Sequence, residues 1–335
     1  MAEELAAKPI RIALVGAGIY ARNAHLPALL DQPDTFEVAA VYSRTDEAAR
    51  TLAAQAGASV PVYTDLQRLL DDTGIEAVDI LLPIPVQAEF VAAALRAGKH
   101  VISEKPIAPD SATARALIDL HQGTSGQVWM VGENWRYEEA FERAAGLVSE
   151  GAIGRPLSCY WAQFSSLKPG NPYYATTWRR SGFAGGLVLD GVVHLVAALR
   201  MVLGDIAQVT AATALFAADL PPVDSVAAAL RFESGAIGSL VVSYAAASPW
   251  GAPLTIVGEQ GSLRVQRGRV ELTDADGAVE VIECGKLHGV QRELAAFAQA
   301  IRRGTPHRNT PEEALRDLDV IERMVASSGT CGECE

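Results

Sequence analysis

The sequence predicts an α/β fold, with an N-terminal doubly wound parallel sheet and a C-terminal α/β domain built on a large, mostly antiparallel sheet. Three observations lead to this prediction. In the first third of the chain, short uninterrupted apolar runs alternate with helical patterns, as in parallel strands covered on both faces. Beyond residue 126, apolar runs follow one another across short linkers, which favours antiparallel pairing. The length of 335 residues fits two domains of about 100–200 residues each.

Five apolar runs give the predicted strands of the first sheet, and the segments between them give its helices. Gly57 and Gly98 stand directly after helical patterns, where a glycine commonly ends a helix. Asp65 is a residue type that often caps the start of a helix. The strands are expected at residues 10–15, 37–43, 78–82, 100–103 and 128–132. The helices are expected at residues 23–30, 45–56, 65–70, 87–97 and 111–121.

A Gly/Ser/Thr patch at residues 123–126 marks the predicted domain boundary. It separates a first domain at 1–126 from a second domain at 127–330, with a tail at 331–335. The strands of the second domain are expected at residues 157–164, 206–215, 226–232, 236–245, 254–257, 262–265 and 279–282. Its helices are expected at residues 138–150, from 186 to just before 204, 291–302 and 311–326.

The charge of the chain argues against nucleic acid or membrane as partners. The net charge is −12 at pH 7, and an acidic chain repels both nucleic acid and anionic lipid. No stretch of about 18 uncharged apolar residues is present, and the N-terminus lacks the pattern of a secretory signal. A cytoplasmic location is therefore expected. Cys331 and Cys334 form a C-x-x-C near the end; it is either a redox or metal pair or part of a frayed tail, and no metal site is predicted.

A glycine-rich turn follows the first strand directly and opens a helix. Residues 16–21 read G-x-G-x-x-A, the pattern of a dinucleotide-binding turn. Gly16 would make the tight turn, Gly18 would let the backbone approach a pyrophosphate, and a small third residue would let helix and strand pack closely. Ile19 and Tyr20 open the helix, whose first amides and positive dipole end favour an anion. The alternative is a purely structural glycine turn.

The end of the second strand bears on the choice of cofactor. NAD sites usually place an acidic residue there to hold the ribose hydroxyls, whereas this chain has Ser43 followed by Arg44. An arginine can pair with a 2′-phosphate. We therefore expect NADP(H) to be preferred and NAD(H) to be possible, unless Arg44 is simply a solvated residue before the next helix.

Two further segments carry candidate chemistry. Glu104 and Lys105 follow the strand at 100–103, and ligands bind at the carboxyl ends of parallel strands. Lys105 could donate to a substrate oxygen. Asp190 and His194 are four residues apart in an apolar helical segment, so they share a helix face. They form either a proton-handling pair or a buried structural hydrogen bond.

Together these segments resemble the Gfo/Idh/MocA family, which includes glucose–fructose oxidoreductases and inositol dehydrogenases. The resemblance covers roughly residues 9–328 and implies a Rossmann domain followed by an α/β domain whose sheet carries the substrate site on one face and often an oligomer interface on the other. It implies that Lys105 lies by the nicotinamide, with Asp190 and His194 in the same site. Pro83 and Glu104 are also expected to contact the cofactor. The resemblance further implies that Trp178 and Arg179 approach the cofactor or substrate, and that Asn134 and Arg136 contact the substrate.

The chain departs from the family pattern at three places. Leu82-Pro83-Ile84 stands where many relatives have Thr-Pro-Asn. Gln87 stands at a position where they have histidine, and Ala197 where they have aspartate three residues after the catalytic histidine. The contacts to the cofactor and the shape of the substrate pocket are the features that these departures affect.

The resulting functional prediction is hydride transfer between a nicotinamide cofactor and a secondary alcohol or ketone of a sugar, polyol or related small substrate. His194 is expected to act as general acid/base, oriented and charged by Asp190. Lys105 is expected to stabilise the developing alkoxide or to donate the proton itself. A homodimer or homotetramer is expected. The alternatives are a non-catalytic nucleotide or sugar sensor, and an enzyme that uses NAD transiently to cleave glycosides.

Overall fold

The computed structural model describes residues 8–57, 59–250, 252–285 and 288–327. Cys331 and Cys334 lie outside these ranges, so the predicted alternatives for that pair are not addressed by the structure. The chain divides into two compact units, which are described separately. The first unit comprises Met1–Ala108, Ala112–Gly132 and Val290–Glu312, and the second comprises Pro109–Ser111, Glu133–Gly289 and Glu313–Glu335.

The first unit is built on a six-stranded sheet whose paired strands are all parallel, in the order β3-β2-β1-β4-β5-β6. This is the strand order of a Rossmann fold. The strands are β1 (Ile10–Val15), β2 (Phe36–Tyr42), β3 (Val62–Tyr63), β4 (Ala77–Ile80), β5 (His100–Glu104) and β6 (Trp129–Gly132). The helices that alternate with them are α1 (Leu26–Leu30), α2 (Asp46–Ala56), α3 (Leu66–Leu70), α4 (Ile84–Arg96) and α5 (Ser111–Gln122).

Burial on both faces explains why the strands of this unit are apolar throughout. Every residue of β4 and β6 is buried, and β1 has one half-buried position. The predicted parallel sheet is therefore confirmed. The two-residue β3 was not predicted, because so short a segment carries no periodic signal. The side chain of Asp65 caps α3 by accepting hydrogen bonds from the amides of Gln67 and Arg68, at 2.9 and 3.3 Å.

The second unit is built on an eight-stranded sheet in the order β14-β13-β12-β11-β7-β10-β9-β8. Its strands are β7 (Pro156–Phe164), β8 (Ile206–Ala214), β9 (Ser225–Phe232), β10 (Ile237–Ser243), β11 (Ala252–Gly258), β12 (Gly261–Gln266), β13 (Arg269–Asp274) and β14 (Val279–Glu283). Its helices are α6 (Glu139–Ser149), α7 (Gly186–Leu203) and most of α9 (Pro311–Ala326), while α8 (Gly289–Arg303) belongs mainly to the first unit.

Antiparallel pairing dominates this sheet, as the short linkers predicted. The turns at 233–236 and 259–260 join β9 to β10 and β11 to β12 as antiparallel neighbours. β7 is the exception, since it lies between β11 and β10 and runs parallel to β10. β13 was not predicted, because its residues are mostly polar.

α7 is the central helix of the second unit. Among the described helices it is the one that is long and apolar enough to cross a membrane by composition, but 78% of its most apolar window is buried within the protein. Its two charged residues, Asp190 and Arg200, are held in ion pairs. These are the features of a core helix, and they need no membrane to explain them.

The division between the units falls after Gly132 rather than after the predicted residue 126. The physical reason is that β6 pairs with β5, with Met130 opposite Ile102, and so completes the first sheet. Residues 290–312 also return to the first unit, where Leu294 and Phe297 of α8 are fully buried in its core. A contribution from so far along the sequence was not foreseen.

Candidate active site

The glycine turn after β1 combines a crowded position with an open one. Gly16 has φ +116°, and a β-carbon there would overlap the main-chain oxygen of Leu81, just beyond β4. Its amide donates to the oxygen of Tyr42 at 2.9 Å, at the end of β2. At Gly18, by contrast, no heavy atom beyond its chain neighbours lies within 4 Å of where a β-carbon would be. A side chain at Gly18 would fill this open space, so the turn fits the close approach of a dinucleotide pyrophosphate.

The residues after the turn form one continuous helical segment. Ile19 and Tyr20 begin it, a π-helical turn at Ala21–His25 follows, and α1 continues it. The Tyr20 ring lies 5.2 Å from the ring of His25. The first amides of this segment are therefore next to the open space at Gly18, where they favour an anionic group.

Arg44 projects from the end of β2 beside this turn. Ser43 is half-buried, and its amide donates to the oxygen of Tyr63 at 3.1 Å. Arg44 is exposed, and no ion pair holds its side chain among the described residues. The nearby Asp46 is engaged by Arg50 at 2.5 Å. Arg44 is thus an exposed cation directly after β2.

The candidate residues of the first unit lie at one edge of the sheet. Gly16 follows β1, Ser43 follows β2, Pro83 follows β4 as the N-cap of α4, and Lys105 follows β5. The parallel register places Val15 beside Ile80, and Ile80 beside Ser103. Because parallel strands end at a common edge, the structure brings these predicted positions together there.

A buried cluster of ionisable side chains contacts Glu104, the residue before Lys105. His25 Nδ1 is 2.7 Å from Asp79 Oδ2, and His25 Nε2 is 3.2 Å from Glu104 Oε1. His25 and Asp79 are fully buried, while the Glu104 side chain is 13% exposed. Burial disfavours the charged imidazole, but the two carboxylates outweigh it and raise the pKa of His25 well above its ordinary value. The cluster therefore links the helix after the glycine turn to the residue before Lys105.

In the second unit, Glu133 is the carboxylate that holds His194. Glu133 Oε1 lies 2.7 Å from His194 Nδ1 and accepts the amide of Trp135 at 3.2 Å. The Trp135 ring stacks on the imidazole at 5.2 Å with an angle of 15°. Glu133 is buried, whereas the His194 side chain keeps 19% exposure. This arrangement occupies Nδ1 and leaves Nε2 for proton exchange.

Asp190 has a different partner from the one the sequence suggested. Its Oδ2 accepts a hydrogen bond from Arg179 Nε at 2.8 Å. The Arg179 guanidinium lies 4.1 Å from the centroid of Trp178 and 5.0 Å from that of Tyr173. The carboxylate at His194 Nδ1 is therefore that of Glu133, and not that of Asp190 as expected. The expected contact of Arg179 with cofactor or substrate stays a prediction, and the structure adds its bond to Asp190.

Tyr244, at the end of β10, is a second residue that sequence reasoning missed. Its hydroxyl lies where a β-carbon on Gly191 of α7 would be, so the absence of a side chain at Gly191 admits it. Burial, and then the charge of Asp190, raise the pKa of Tyr244 above its ordinary value. The phenol thus stays protonated beside Asp190 and can act as a hydrogen-bond donor.

Arg136 is a structural residue rather than a substrate contact. Its Nη2 lies 2.9 and 2.8 Å from the two oxygens of Asp317 on α9. Arg200 of α7 binds the same carboxylate at 2.6 Å. Asn134, the other predicted substrate contact, is buried. The expected substrate role of Arg136 is wrong, because its guanidinium is buried and committed to an ion pair.

The two missed residues differ in the signal that the sequence offers. Glu133 stands directly after β6, at the carboxyl end of a buried strand, which is where functional residues gather. Tyr244 follows β10 in an otherwise ordinary antiparallel strand and carries no such signal. Among the described residues, no group of three or more potential ligands could hold a metal ion.

Comparison with protein families gives two matches along this chain. Residues 10–132 match the GFO_IDH_MocA model, described as an oxidoreductase family with an NAD-binding Rossmann fold. Residues 141–264 match the GFO/IDH/MocA C-terminal domain. Apart from Pro109–Ser111, the first match lies in the first unit, and the second match lies in the second unit.

Curated relatives and solved structures resemble the chain over most of its length. The dehydrogenase FPY6 of Fusarium mangiferae is 35% identical, with 96% of this chain and 97% of the relative covered. D-apiose dehydrogenase of Paraburkholderia graminis is 31% identical, with 81% and 71% covered. The crystal structure of an oxidoreductase from Thermotoga maritima has a TM-score of 0.90 at 33% identity, covering 96% and 97%. Levoglucosan dehydrogenase in complex with NADH and levoglucosan has the same fold, with a TM-score of 0.85 at 24% identity, covering 96% and 97%.

Proposed function

The chain belongs to the Gfo/Idh/MocA family of NAD(P)-dependent oxidoreductases, and we propose that its substrate is a sugar or closely related polyol, oxidised or reduced at a secondary alcohol or ketone carbon. The observation that carries this proposal is His194, held at Nδ1 by the buried carboxylate of Glu133 at 2.7 Å. Relatives with named substrates, such as D-apiose and levoglucosan dehydrogenases, act on sugars.

The cofactor-binding residues are proposed from the first unit. The Gly16–Gly18 turn with Ile19 and Tyr20 would hold the pyrophosphate, and Ser43 with Arg44 would hold the ribose. Pro83, Glu104 and Lys105 would border the nicotinamide. The family resemblance implies that Trp178 also contacts the cofactor. When bound, the nicotinamide accepts or supplies the hydride. The exposed guanidinium of Arg44, with no carboxylate at Ser43, supports a preference for NADP(H).

His194 is proposed to exchange the proton of the reacting hydroxyl. With Nδ1–H donated to Glu133, Nε2 carries the lone pair that accepts this proton when the alcohol is oxidised. In the reverse direction, the protonated ring returns it to the alkoxide. The carboxylate stabilises the imidazolium formed in between, and the Trp135 stack fixes the plane of the ring.

Lys105 is proposed, as the family resemblance implies, to donate a hydrogen bond to the reacting substrate oxygen. An ammonium group there stabilises the alkoxide charge that develops as the hydride leaves or arrives. Asp190, fixed by Arg179, and the phenol of Tyr244 supply an acceptor and a donor for the substrate's other hydroxyl groups. This polar pairing favours a polyhydroxylated substrate over a simple alcohol.

A substrate screen tests the proposal. Sugars, inositols and dihydrodiols are offered with NADP⁺ and with NAD⁺, and nicotinamide absorbance is followed. We expect turnover with a sugar or polyol, and a loss of about 10²–10⁴-fold in rate in Lys105→Ala and His194→Ala with cofactor binding retained. A sensor or a redox-neutral glycosidase would give no net absorbance change with any substrate, and that result would contradict the proposal.

A further inference from the structure

We propose that Gln87 is a positioning residue for Lys105: its side-chain amide fixes the main chain on both sides of the lysine. This inference rests on the proposed function, because it takes the reacting group to be the Lys105 ammonium. Gln87 lies in the first turn of α4 and is 1% exposed. In the family pattern described above, this position often holds a histidine.

The contacts of Gln87 bracket Lys105. Its Nε2 donates to the main-chain oxygen of Glu104 at 2.6 Å and to that of Pro106 at 3.0 Å. These carbonyls belong to the residues immediately before and after the lysine. One NH₂ group with two hydrogens therefore serves two main-chain acceptors and ties both flanking residues to α4.

A second anchor holds the side chain of the same segment. Glu104 Oε1 lies 3.2 Å from His25 Nε2, and His25 Nδ1 lies 2.7 Å from Asp79. Gln87 thus holds the carbonyl of Glu104 by a hydrogen bond, and the Glu104 carboxylate lies at ion-pair distance from His25. The main chain that carries Lys105 therefore has contacts with two other elements, α4 through Gln87 and the helical segment after the glycine turn through His25.

The chemistry of the position favours an amide over the alternatives. A glutamate would place a carboxylate against two carbonyl oxygens, and an aliphatic residue would leave both carbonyls without this donor. A histidine supplies at most one N–H toward one carbonyl in its neutral form. The glutamine amide does not titrate, so this support keeps both donors as the pH changes.

The kinetic test compares two glutamines that make the same kind of contact. Gln87→Met removes both donors while nearly keeping the side-chain volume. The matched control is Gln32→Met, because Gln32 Nε2 also donates to two carbonyls, those of Ala28 and Gln291 at 2.9 and 3.2 Å.

With the substrate found by the screen, we expect kcat to fall about 10–100-fold in Gln87→Met, with the KM for cofactor within about twofold. Gln32→Met should keep the wild-type kcat, and Gln87→His should recover part of the loss. A kcat for Gln87→Met within twofold of wild type would overturn the inference.

A double variant separates this inference from the proposed function. If Gln87 acts through Lys105, Lys105→Met/Gln87→Met should be no slower than Lys105→Met alone. Additive losses would overturn the positioning role while leaving the role of Lys105 standing. If Lys105→Met itself kept the wild-type rate, the proposed function of the lysine would fail, and the positioning role with it.

A measurement without substrate gives an independent readout. The chain contains five lysines, at positions 8, 99, 105, 168 and 286, so ¹³C-dimethylation gives few NMR signals, each assignable by a Lys→Arg variant. We expect the Lys105 signal to shift or broaden in Gln87→Met and to stay unchanged in Gln32→Met. An unchanged Lys105 signal in Gln87→Met would contradict the inference whether or not a substrate is known.

Discussion

At the scale of single residues, the carboxylate of Glu133 determines which nitrogen of His194 takes part in proton exchange. We predict that Glu133→Gln lowers kcat by about 10²–10⁴-fold, since an amide can pair with the wrong tautomer of the ring. The KM for cofactor should change little, because no contact of the Gly16 turn is removed. Steady-state kinetics with the screened substrate measures both quantities.

The control for Glu133→Gln is Glu138→Gln. Glu138 is equally buried and lies in the same segment, but its carboxylate binds Arg267 at 2.5 Å. Loss of charge there should lower stability and leave kcat within a few-fold of wild type. Equal kcat losses in the two variants would show that general destabilisation, and not the support of His194, explains the effect.

Arg44 is the residue expected to decide between NADPH and NADH. Arg44→Ala should weaken NADPH binding by about 10–150-fold, the equivalent of one charge-assisted hydrogen bond of about 1.5–3 kcal/mol. NADH affinity should stay nearly constant, because NADH has no 2′-phosphate. Fluorescence titration of both cofactors, with Arg50→Ala as the control cation on α2, measures this. Similar dissociation constants for NADPH and NADH in the wild type would refute the preference.

Many residues of the candidate site can be predicted from the sequence, but their hydrogen-bond and ion-pair partners cannot. Gly16, Lys105 and His194 stand in motifs whose spacing is local, so they can be found by inspection. The partner of His194 is 61 residues away along the chain, and that of Arg136 is 181 residues away. Such pairs depend on how helices pack, which the spacing of neighbours does not encode. Asp190 was therefore assigned the role that Glu133 fills.

At the level of secondary-structure elements, Gly191 allows the Tyr244 side chain to pack closely against α7. A β-carbon at Gly191 would overlap the hydroxyl of Tyr244, so Gly191→Ala should destabilise the protein even though alanine is the better helix former. Gly146 in α6 is the matched control, because the nearest atom to its β-carbon position is 3.9 Å away. Gly146→Ala should stabilise by up to about 1 kcal/mol.

Urea unfolding of the two alanine variants measures this difference. Opposite signs of the change in the free energy of unfolding are expected. A stabilising Gly191→Ala would mean that Tyr244 moves aside freely and that its phenol has no fixed place beside Asp190.

Elements with a strong period were predicted well, and those without one were not. β1 and α9 have the predicted bounds, because an apolar run and a 3.6-residue pattern mark their ends. β13, the strand next to the edge strand β14, is mostly half-buried and has few apolar residues, so the sequence did not predict it. The parallel pairing of β7 with β10 is a long-range choice that no local pattern specifies.

At the scale of the whole molecule, the outer face of the eight-stranded sheet bears exposed apolar side chains. Tyr160, Ile237 and Val257 on three neighbouring strands are 50%, 56% and 39% exposed, and their registers place them on one face. An apolar face of this kind usually finds a partner. We predict a dimer or tetramer by light scattering at micromolar concentration.

Charge variants locate the predicted interface. Ile237→Lys should lower the measured mass, whereas Leu30→Lys, at a similarly exposed leucine of α1, should not. A monomeric mass for the wild-type chain would contradict the prediction, as would an Ile237→Lys variant with the wild-type oligomeric state.

The proposed reaction moves a hydride between a nicotinamide and a carbon of a sugar-like substrate. Isotope transfer follows that hydride itself. The screened substrate, deuterated at its carbinol carbon, is incubated with the protein and NADP⁺ or NAD⁺, and the reduced cofactor is analysed by mass spectrometry. One deuterium is expected on the nicotinamide for each product formed, and His194→Ala should form almost no deuterated cofactor in the same time. Product formed without deuterium in the cofactor would contradict it.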